Sequence, residues 1–224
     1  YRVVPFLRRA GVRALDAFIL THPDTDHLGG AIPVLGAVRV KRLLTNGAQD
    51  DTMAFRRLEE LGGRQGVGRG VLHAGMSLDD GAGIRLQVLH PPPGLIPGAA
   101  PGSNDNSLVL KVRYGDVSVL LTGDLEEAGL PWLLAQEEPL ASTVLKVPHH
   151  GSALGPAGEA FFASVSPKLA VISVGRAHHL PAPATVEALA RTGARIVLTR
   201  QDGAVRLRTD GQQLEVTTWR HRGE

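Results

Sequence analysis

The sequence predicts an α/β sandwich, in which two β-sheets face each other and helices cover their outer faces. Short apolar runs of strand length alternate with segments in which apolar residues recur at helical spacing. Apolar runs separated by Gly-containing turns lie in the middle and at the end of the chain, a pattern typical of β-hairpins. The 224 residues, 43% of them hydrophobic, suit one domain of packed layers, so we predict a single domain over residues 1–224.

The predicted strands are apolar runs bounded by polar or Gly-rich segments. They cover residues 15–20, 40–44, 71–72, 84–89, 108–112, 117–121, 144–147, 169–174, 195–198, 205–208 and 214–217. Helical spacing predicts helices over residues 28–35, 53–61, 125–135, 157–164 and 185–191. The second helix ends at Gly62-Gly63, which suits a helix C-cap. Residues 91–102 are rich in Pro, Gly and Ala and form the one long predicted loop.

Composition excludes several classes of protein. The chain has no Cys, which excludes disulfide frameworks, thiolate metal sites and cysteine nucleophiles. The ordinary apolar fraction excludes disordered, collagen-like and coiled-coil proteins. No stretch approaches the roughly 18 consecutive apolar residues that a membrane span needs. Because the first residue is Tyr1 and not Met, we expect the chain to be a segment of a longer protein.

Charge is unevenly distributed, although the net charge is only +2. Residues 1–13 contain four Arg and no acidic residue, and residues 191–224 contain seven Arg against four acidic residues. Residues 14–190 therefore sum to −5, since the whole chain carries +2. This pattern is typical of a surface that faces a polyanion beside a carboxylate-rich site. Scattered, solvated charge would give the same counts.

The most informative segment follows the first predicted strand. Residues 21–30 have the sequence Thr-His-Pro-Asp-Thr-Asp-His-Leu-Gly-Gly, so two imidazoles and two carboxylates fall within six residues. A turn at a strand end can direct all four side chains into one pocket. Imidazole together with carboxylate is a ligand set for Zn, Mn or Fe, whereas Ca takes oxygen ligands alone. A helix N-cap would explain one Asp, but it would not explain the two His.

Two further polar clusters follow apolar strands in the same way. The segment 121–124 places Asp124 directly after one strand, and the segment 147–152 places His149 and His150 after another. A Thr-Gly-Asp sequence alone is more often an ordinary turn, whereas adjacent His residues after a buried strand are hard to explain by packing. Three strand ends that offer His and Asp predict one convergent metal site at the edge of a sheet.

The segment 22–27 is similar to the HxHxDH metal motif of the metallo-β-lactamase superfamily, with Asp24 in place of the middle His. The full motif set resembles more specifically the metallo-β-lactamase-like domain of ComEC-type DNA-internalisation competence proteins. The set comprises the segments 22–27, 104–110, 121–124, 147–152 and 171–175, and the likeness extends from about Phe6 to about Leu189. The resemblance implies an αββα sandwich, the metallo-β-lactamase fold, without its first strands in this chain.

The resemblance also implies two divalent metal ions, one facing His22 and Asp24 and the other facing Asp26 and His27. The full implied ligand set is His22, Asp24, Asp26, His27, Asp124, His149 and His150. One of the last two residues would complete the second site; the Pro-x-His-Gly pattern favours His150 and leaves His149 for a substrate phosphate. Three of these residues are also the implied catalytic residues, with Asp124 bridging the ions, Asp26 orienting the attacking water and His149 at the phosphate.

The sequence departs from the superfamily pattern in two regions. The isolated His that precedes the strand at residue 108 is missing, and the loop 103–106, Ser-Asn-Asp-Asn, stands there. Because Asn is a poorer transition-metal ligand than imidazole, we expect a weaker, more oxygen-rich first site that suits Mn or Mg better than Zn. For the centre as a whole we expect Mn, with Zn or Mg as alternatives. After Gly175 the segment is shorter than in the family, with His179 in place of the family's His.

Several residues close to the motifs are candidates for holding a phosphate group, although each of them would serve equally well to support a metal ligand. They are Asn104, Asn106, Ser107, Ser152, Arg176, His178 and His179.

The resemblance implies a metal-dependent phosphodiesterase that hydrolyses DNA as part of a competence DNA-uptake protein. The expected partners are DNA, bound without sequence preference through its backbone, and a transmembrane channel in another part of the same longer protein. We expect no stable oligomer, and a soluble domain of a membrane-anchored protein on the extracytoplasmic face. Two alternatives stay open: a small-molecule metallo-hydrolase acting on a lactone, thioester or phosphoester, and a catalytically degenerate DNA-binding module.

Overall fold

The structure is a computed structural model that describes residues 3–100, 102–175 and 179–219. The helices are α1 (Val3–Arg9), α2 (Thr25–Ala37), α3 (Met53–Arg64), α4 (Leu130–Leu134), α5 (Ala157–Val165), α6 (Pro183–Arg191) and α7 (Thr199–Asp202). The strands are β1 (Ala14–Leu15), β2 (Phe18–Ile19), β3 (Arg39–Val40), β4 (Arg42–Thr45), β5 (Gly68–Val71), β6 (Ser77–Asp79), β7 (Ile84–His90), β8 (Val109–Tyr114), β9 (Val117–Leu121), β10 (Val144–Lys146), β11 (Leu169–Ile172), β12 (Arg195–Leu198), β13 (Ala204–Thr209) and β14 (Leu214–Trp219). None of the helices in these ranges combines the length and the apolar character that crossing a membrane requires.

The strands form two main sheets. The smaller sheet is parallel and has the order β2-β4-β5. The larger sheet has the order β12-β11-β10-β9-β8-β7-β6, parallel from β9 to β12 and antiparallel from β6 to β9. Separate pairs are formed by β1 with β3 and by β13 with β14.

Apolar clusters fix the order of the layers. Leu28 of α2 and Leu58 of α3 pack with Leu43 of β4 on the outer face of the smaller sheet. Leu44, the next residue of β4, packs between the two sheets, because successive side chains of a strand point to opposite faces. Phe161 of α5 packs on the outer face of the larger sheet. The layers follow the order helix, sheet, sheet, helix, which confirms the predicted αββα sandwich.

The hairpin β13–β14 covers the part of the larger sheet that the smaller sheet does not reach. Its apolar side chains pack against Val144, Leu169 and Val197, which lie on β10, β11 and β12. Leu145 points the other way and belongs to the cluster under the helices. The predicted strand pair at the end of the chain is therefore confirmed, and it buries the inner face of three parallel strands.

The prediction of one strand over residues 15–20 is wrong. Ala14–Leu15 and Phe18–Ile19 are separate strands that pair in parallel with different partners, β3 and β4. Asp16 lies between them, and its carboxylate accepts a hydrogen bond from Lys41 Nζ at 2.6 Å. The chain therefore leaves one pairing and enters another where a polar residue interrupts the apolar run.

The predicted helix over residues 125–135 is wrong in its first half, since only Leu130–Leu134 is helical. The preceding residues form turns, and the N–H of Gly129 donates to Asp105 Oδ1 at 2.8 Å. Pro131 in the first turn of α4 costs no hydrogen bond, because the first N–H groups of a helix have no helical partner. Helix α1 was not predicted; none of its residues is fully buried, and its contact with the core consists of the partly buried Val4 and Leu7.

Strand register brings distant motifs to one edge of the fold. β9 and β10 are parallel neighbours, with Leu121 paired to Lys146 at their carboxyl ends. The segments that follow these strands therefore leave the same edge of the larger sheet. The smaller sheet joins this edge through a hydrogen bond from Leu108 N–H to the carbonyl of Thr21, at 3.0 Å.

Candidate metal centre

Four side chains converge where the predicted motifs meet. Asp26 and His27 belong to the first turn of α2, Asp124 to the turn after β9, and His150 to the turn after β10. Each contributes one ligand atom, and the four atoms all lie within 4.8 Å of one another. The predicted convergence of three strand ends on one site is confirmed. These four residues are called the four-residue cluster below.

Backbone hydrogen bonds fix the first motif at the start of α2. The carbonyl of Asp24 accepts hydrogen bonds from the N–H groups of His27 (3.0 Å) and Leu28 (2.8 Å). The Asp24 side chain makes no capping hydrogen bond. The motif is therefore not explained by a side-chain helix cap, and the Asp24 carboxylate remains available to the site.

Gly123 and Ser107 set the position of Asp124. Gly123 has a φ of +53°, and a Cβ there would lie 2.9 Å from the Ser107 Cβ and 3.1 Å from the Thr21 Cβ. A glycine is therefore required for this close approach. The N–H of Asp124 donates to Ser107 Oγ at 3.1 Å, and the same oxygen lies 3.3 Å from His22 Nδ1.

Three nitrogen groups surround the Asp124 carboxylate. Oδ2 lies 3.3 Å from His27 Nε2 and 3.2 Å from His150 Nε2, whereas Oδ1 lies 3.2 Å from Lys146 Nζ. Burial alone would raise the pKa of Asp124, but hydrogen bonds from the two imidazoles and the nearby Lys146 charge hold it well below its usual range. Asp124 is therefore ionised at physiological pH, as a carboxylate ligand must be.

Backbone conformation directs the two adjacent imidazoles to different partners. His149 (φ 39°) and His150 (φ 54°) are both left-handed, which costs roughly 1 kcal/mol or more for a residue with a Cβ. His150 Nδ1 donates to the carbonyl of Ser173 at 2.6 Å, so Nε2 is the nitrogen that faces Asp124. The pKa of His150 is raised, chiefly by the hydrogen bond to Asp124. Strained backbone of this kind concentrates at functional sites.

Glu126 is a site residue that the sequence analysis missed. Its Oε1 lies 2.7 Å from His149 Nδ1 and accepts a hydrogen bond from Asn104 Nδ2 at 3.2 Å. His149 is outside the four-residue cluster. The structure therefore separates the two His residues, with His150 in the four-residue cluster and His149 beside Glu126. The signal in the sequence was a carboxylate two residues after Asp124, too common a pattern to stand out.

Lys146 is the second residue that the sequence analysis missed. It ends β10, and its Nζ donates to the carbonyl of Gly123 at 2.6 Å and to Asp124 Oδ1 at 3.2 Å. Burial lowers the pKa of Lys146, and the neighbouring Asp124 charge opposes that effect. A Lys at the end of an apolar strand, three residues before the His pair, was the available signal.

His22 and Asp24 lie beside the four-residue cluster but do not belong to it. His22 is buried, its ring centroid is 4.1 Å from that of His27, and its Nε2 has no hydrogen-bond partner. Burial, with a smaller contribution from His27, lowers the pKa of His22 to about 4, so its imidazole is neutral. Its Nε2 lies 3.6 Å from Asp24 Oδ2. Across the described ranges, no third His, Asp or Glu donor completes a group with these two.

The four-residue cluster fits a divalent transition metal ion. Imidazole nitrogen and carboxylate oxygen are the ligand types that Zn, Mn and Fe accept. A backbone carbonyl holds Nδ1 of His150, and Thr21 Oγ1 lies 3.3 Å from Nδ1 of His27. Such contacts to the second ring nitrogen orient metal-binding imidazoles. Both Nε2 atoms are left on the side of Asp124, where the ion would be held.

Two of the predicted phosphate-binding residues support the site and are not on its surface. Asn106 is fully buried; its side-chain oxygen accepts from the N–H of Ile96 and its amide donates to the carbonyl of Ala100. It therefore fixes the long loop before β8. Ser107 is also fully buried and orients Asp124. Direct contact of either side chain with substrate would require this packing to open.

The other predicted phosphate-binding residues keep that role as a prediction. Asn104 Oδ1 and Ser152 Oγ are buried polar atoms without a hydrogen-bond partner, as expected for groups that await a ligand. His179 is exposed. Arg176 and His178 lie outside the described residues.

Behind the site lies another imidazole that the sequence analysis did not single out. His90 ends β7 and is fully buried. Its Nδ1 donates to the carbonyl of Ser107 at 2.9 Å, and its Nε2 has no hydrogen-bond partner. Burial lowers the pKa of His90 to about 4 from an ordinary value of 6.5. Folding is therefore coupled to keeping His90 neutral.

We expect His90→Gln to weaken the fall of the free energy of unfolding as the pH drops below 6.5. The His90 pKa is lower in the folded chain than in the unfolded chain, so its contribution is complete above pH 6.5 and is lost as the pH falls towards about 4. The shift corresponds to about 3 kcal/mol at most. Urea unfolding from pH 7 to pH 4.5 measures the slope. His179→Gln, at an exposed position, is the matched control and should keep the slope of the unchanged chain; an equal slope in His90→Gln would contradict the assignment.

Comparison with known proteins supplies the family context. The family model described as "Metallo-beta-lactamase superfamily" matches residues 2–176. ComE operon protein 3 of Bacillus subtilis is 35% identical over 213 residues, which are 92% of this chain and 26% of that protein. Competence protein ComA of Neisseria gonorrhoeae is 30% identical over 208 residues, 91% of this chain and 26% of that protein. The chain thus spans about a quarter of the length of these curated relatives.

A solved structure shows the same fold. Igni18, a metallo hydrolase from the archaeon Ignicoccus hospitalis, aligns over 92% of this chain and 80% of its own with a TM-score of 0.50 and 12% sequence identity. At that identity the likeness concerns the fold alone. The family model and the curated relatives confirm the resemblance on which the motif assignments were based.

Proposed function

Since this chain belongs to the metallo-β-lactamase superfamily, we propose that it is a metal-dependent phosphodiesterase that hydrolyses DNA. The observation that carries the proposal is the convergence of Asp26, His27, Asp124 and His150 in a site open to solvent. The Asp26 side chain is 68% exposed and that of His150 is 33% exposed. Exposed donors suit a long polymer substrate, and the similarity to a competence protein of Neisseria gonorrhoeae supports DNA as the substrate class.

The protein side chains divide the chemistry between them. A divalent ion held by the four-residue cluster would supply Lewis acidity and lower the pKa of an attacking water; we favour Mn over Zn or Mg. Asp26, the most exposed of the four side chains, orients that water and accepts its proton. His149, whose Nδ1 lies 2.7 Å from Glu126 Oε1, delivers a proton to the leaving oxygen through its other ring nitrogen.

Phosphate contacts would come from polar atoms near the cluster and from basic residues farther away. Asn104 Oδ1 and Ser152 Oγ are two such atoms, both buried and without a hydrogen-bond partner. Arg8, Arg13 and Arg39 line a groove at the carboxyl end of α2. The cluster lies at the other end of this helix, about 18 Å away at 1.5 Å per residue. Contacts of this type follow the backbone of a nucleic acid without reading its sequence.

In this proposal residues 1–224 form one domain of a longer competence protein. The curated relatives are about four times as long as the part that aligns with this chain. The rest of the longer protein would supply a transmembrane channel, and the domain would act as a monomer on the extracytoplasmic face of the membrane. DNA hydrolysis there would leave one strand for uptake.

The proposal is tested by incubating end-labelled single-stranded and double-stranded DNA with the purified chain and Mn, Mg, Zn or a chelator. We expect Mn-dependent cleavage that stops in chelator, and binding that weakens steeply as salt rises. Asp26→Ala should abolish cleavage, whereas Asp116→Ala, at an exposed turn, should not. Cleavage that persists in chelator or in Asp26→Ala would refute the mechanism. Hydrolysis of small esters or lactones without DNA cleavage would favour a small-molecule hydrolase instead.

A further inference from the structure

The two halves of the predicted dinuclear centre are unequal in this chain. Asp26, His27, Asp124 and His150 offer four donors that face one another. Among the described residues, the other half offers only His22 and Asp24, whose nearest donor atoms are 3.6 Å apart. Two donors are fewer than the three protein ligands that even an open transition-metal site retains.

Asp124 is the residue that two ions would have to share, and its two oxygens are differently engaged. Oδ2 lies against the two imidazoles of the four-residue cluster. Oδ1 is bonded to Lys146 Nζ, which is anchored a second time by the carbonyl of Gly123. The Lys146 side chain is only 24% exposed, so it is held in the site and is not a mobile surface group.

We propose that Lys146 takes the role of the second metal ion, so that in the absence of substrate the centre binds one ion, at the four-residue cluster. This inference rests on the metal site of the proposed function. The ammonium occupies the carboxylate oxygen that a second ion would share, and its positive charge repels a cation there.

The unpartnered Nε2 of His22 does not conflict with this assignment. With Asp24 it forms a two-donor site that lacks a third protein ligand within the described ranges. At a site with few protein ligands, substrate phosphate oxygens often complete the coordination of the ion. His22 and Asp24 would then affect DNA turnover without contributing to the affinity of the chain for its first ion.

Metal stoichiometry tests the proposal without any activity measurement. The chelator-treated chain is titrated with MnCl₂ by calorimetry, and the loaded sample is examined by electron paramagnetic resonance. We expect one tight site per chain and the six-line spectrum of an isolated Mn²⁺. Two sites of comparable affinity, or the spectrum of an exchange-coupled Mn pair, would overturn the proposal.

Three variants separate the roles. His22→Ala should keep the affinity for the first ion within about threefold, and a loss of the ion would make His22 a ligand and overturn the assignment. Lys146→Arg keeps the charge and should still bind one ion. Lys146→Met removes the charge, and this variant should bind a second Mn²⁺ ion at least tenfold more tightly than the unchanged chain does. If folded Lys146→Met binds the second ion no more tightly than the unchanged chain, the proposed role of Lys146 is refuted.

The same measurements distinguish this inference from the proposed function. A chain that binds one Mn²⁺ and does not cleave DNA would support the inference and refute the function. A chain that cleaves DNA with two tightly bound ions would support the proposed function and refute the inference.

Discussion

Replacing Asp124 with Asn is expected to abolish metal binding and DNA cleavage together. The substitution preserves the shape of the side chain but removes the charge that faces His27, His150 and Lys146. Losing a central anionic ligand removes several kcal/mol of charge stabilisation. The Mn²⁺ dissociation constant should therefore rise, and the cleavage rate fall, by at least about 10³-fold each. Calorimetric titration with MnCl₂ and initial cleavage rates measure the two effects.

Two matched variants show whether the Asp124 effect is specific. Asp116→Asn makes the same chemical change at an exposed turn and should leave both quantities unchanged. Glu126→Gln neutralises a carboxylate beside His149 that is outside the four-residue cluster. It should keep Mn²⁺ affinity and lower the cleavage rate by about 10- to 100-fold, the usual effect of altering a supporting residue. Mn²⁺ affinity in Asp124→Asn within tenfold of the unchanged chain would contradict the assigned ligand role.

The adjacent His residues are expected to give opposite results when each is replaced by Ala. His150→Ala removes a donor of the four-residue cluster, so it should lose the ion and, with it, all cleavage. His149→Ala removes a side chain whose Nδ1 faces Glu126, so it should bind Mn²⁺ within about threefold of the unchanged chain and cleave about 10²-fold more slowly.

Measuring both quantities on both variants decides between the assignments. The two positions have the same residue type and similar left-handed backbone, so each variant is a control for the other. Both substitutions relieve comparable strain, and a difference between them reports the contact each imidazole makes. Loss of the ion in His149→Ala but not in His150→Ala would reverse the assignment of ligand and proton donor.

Much of the fold was predictable because burying one face of a helix or strand makes its apolar residues recur at a regular spacing. Strand β10 and helix α5 were found from apolar runs and helical spacing, and their side chains lie in the main core. Helix α1 was not predicted, because none of its residues is fully buried. The apolar run at residues 15–20 was assigned to one strand because hydrophobicity alone does not specify which partner a strand pairs with.

The polar residues at strand ends were likewise predictable as a set, because two His and two Asp within six residues, and a His pair after an apolar run, are hard to explain by packing. Glu126 and Lys146 were not predictable, since a charged residue after a strand is usually solvated. Only the pairing of Leu121 with Lys146 brings Lys146 beside Asp124. Asn106 was a candidate for holding phosphate or for supporting a metal ligand because it lies close to the motifs, and its burial inside the loop could not be read from composition.

The sequence by itself determined the layered fold, the segments that carry the chemistry and their convergence at one sheet edge. Only the tertiary structure decided that His150 and not His149 belongs to the four-residue cluster, and that His22 and Asp24 lie outside it. It also decided that Lys146 donates a hydrogen bond to Oδ1 of Asp124. The physical reason is that residue type and spacing encode local burial and ligand chemistry. The direction of a side chain depends instead on backbone dihedrals, such as the left-handed pair at His149 and His150, and on contacts from strands far away in sequence.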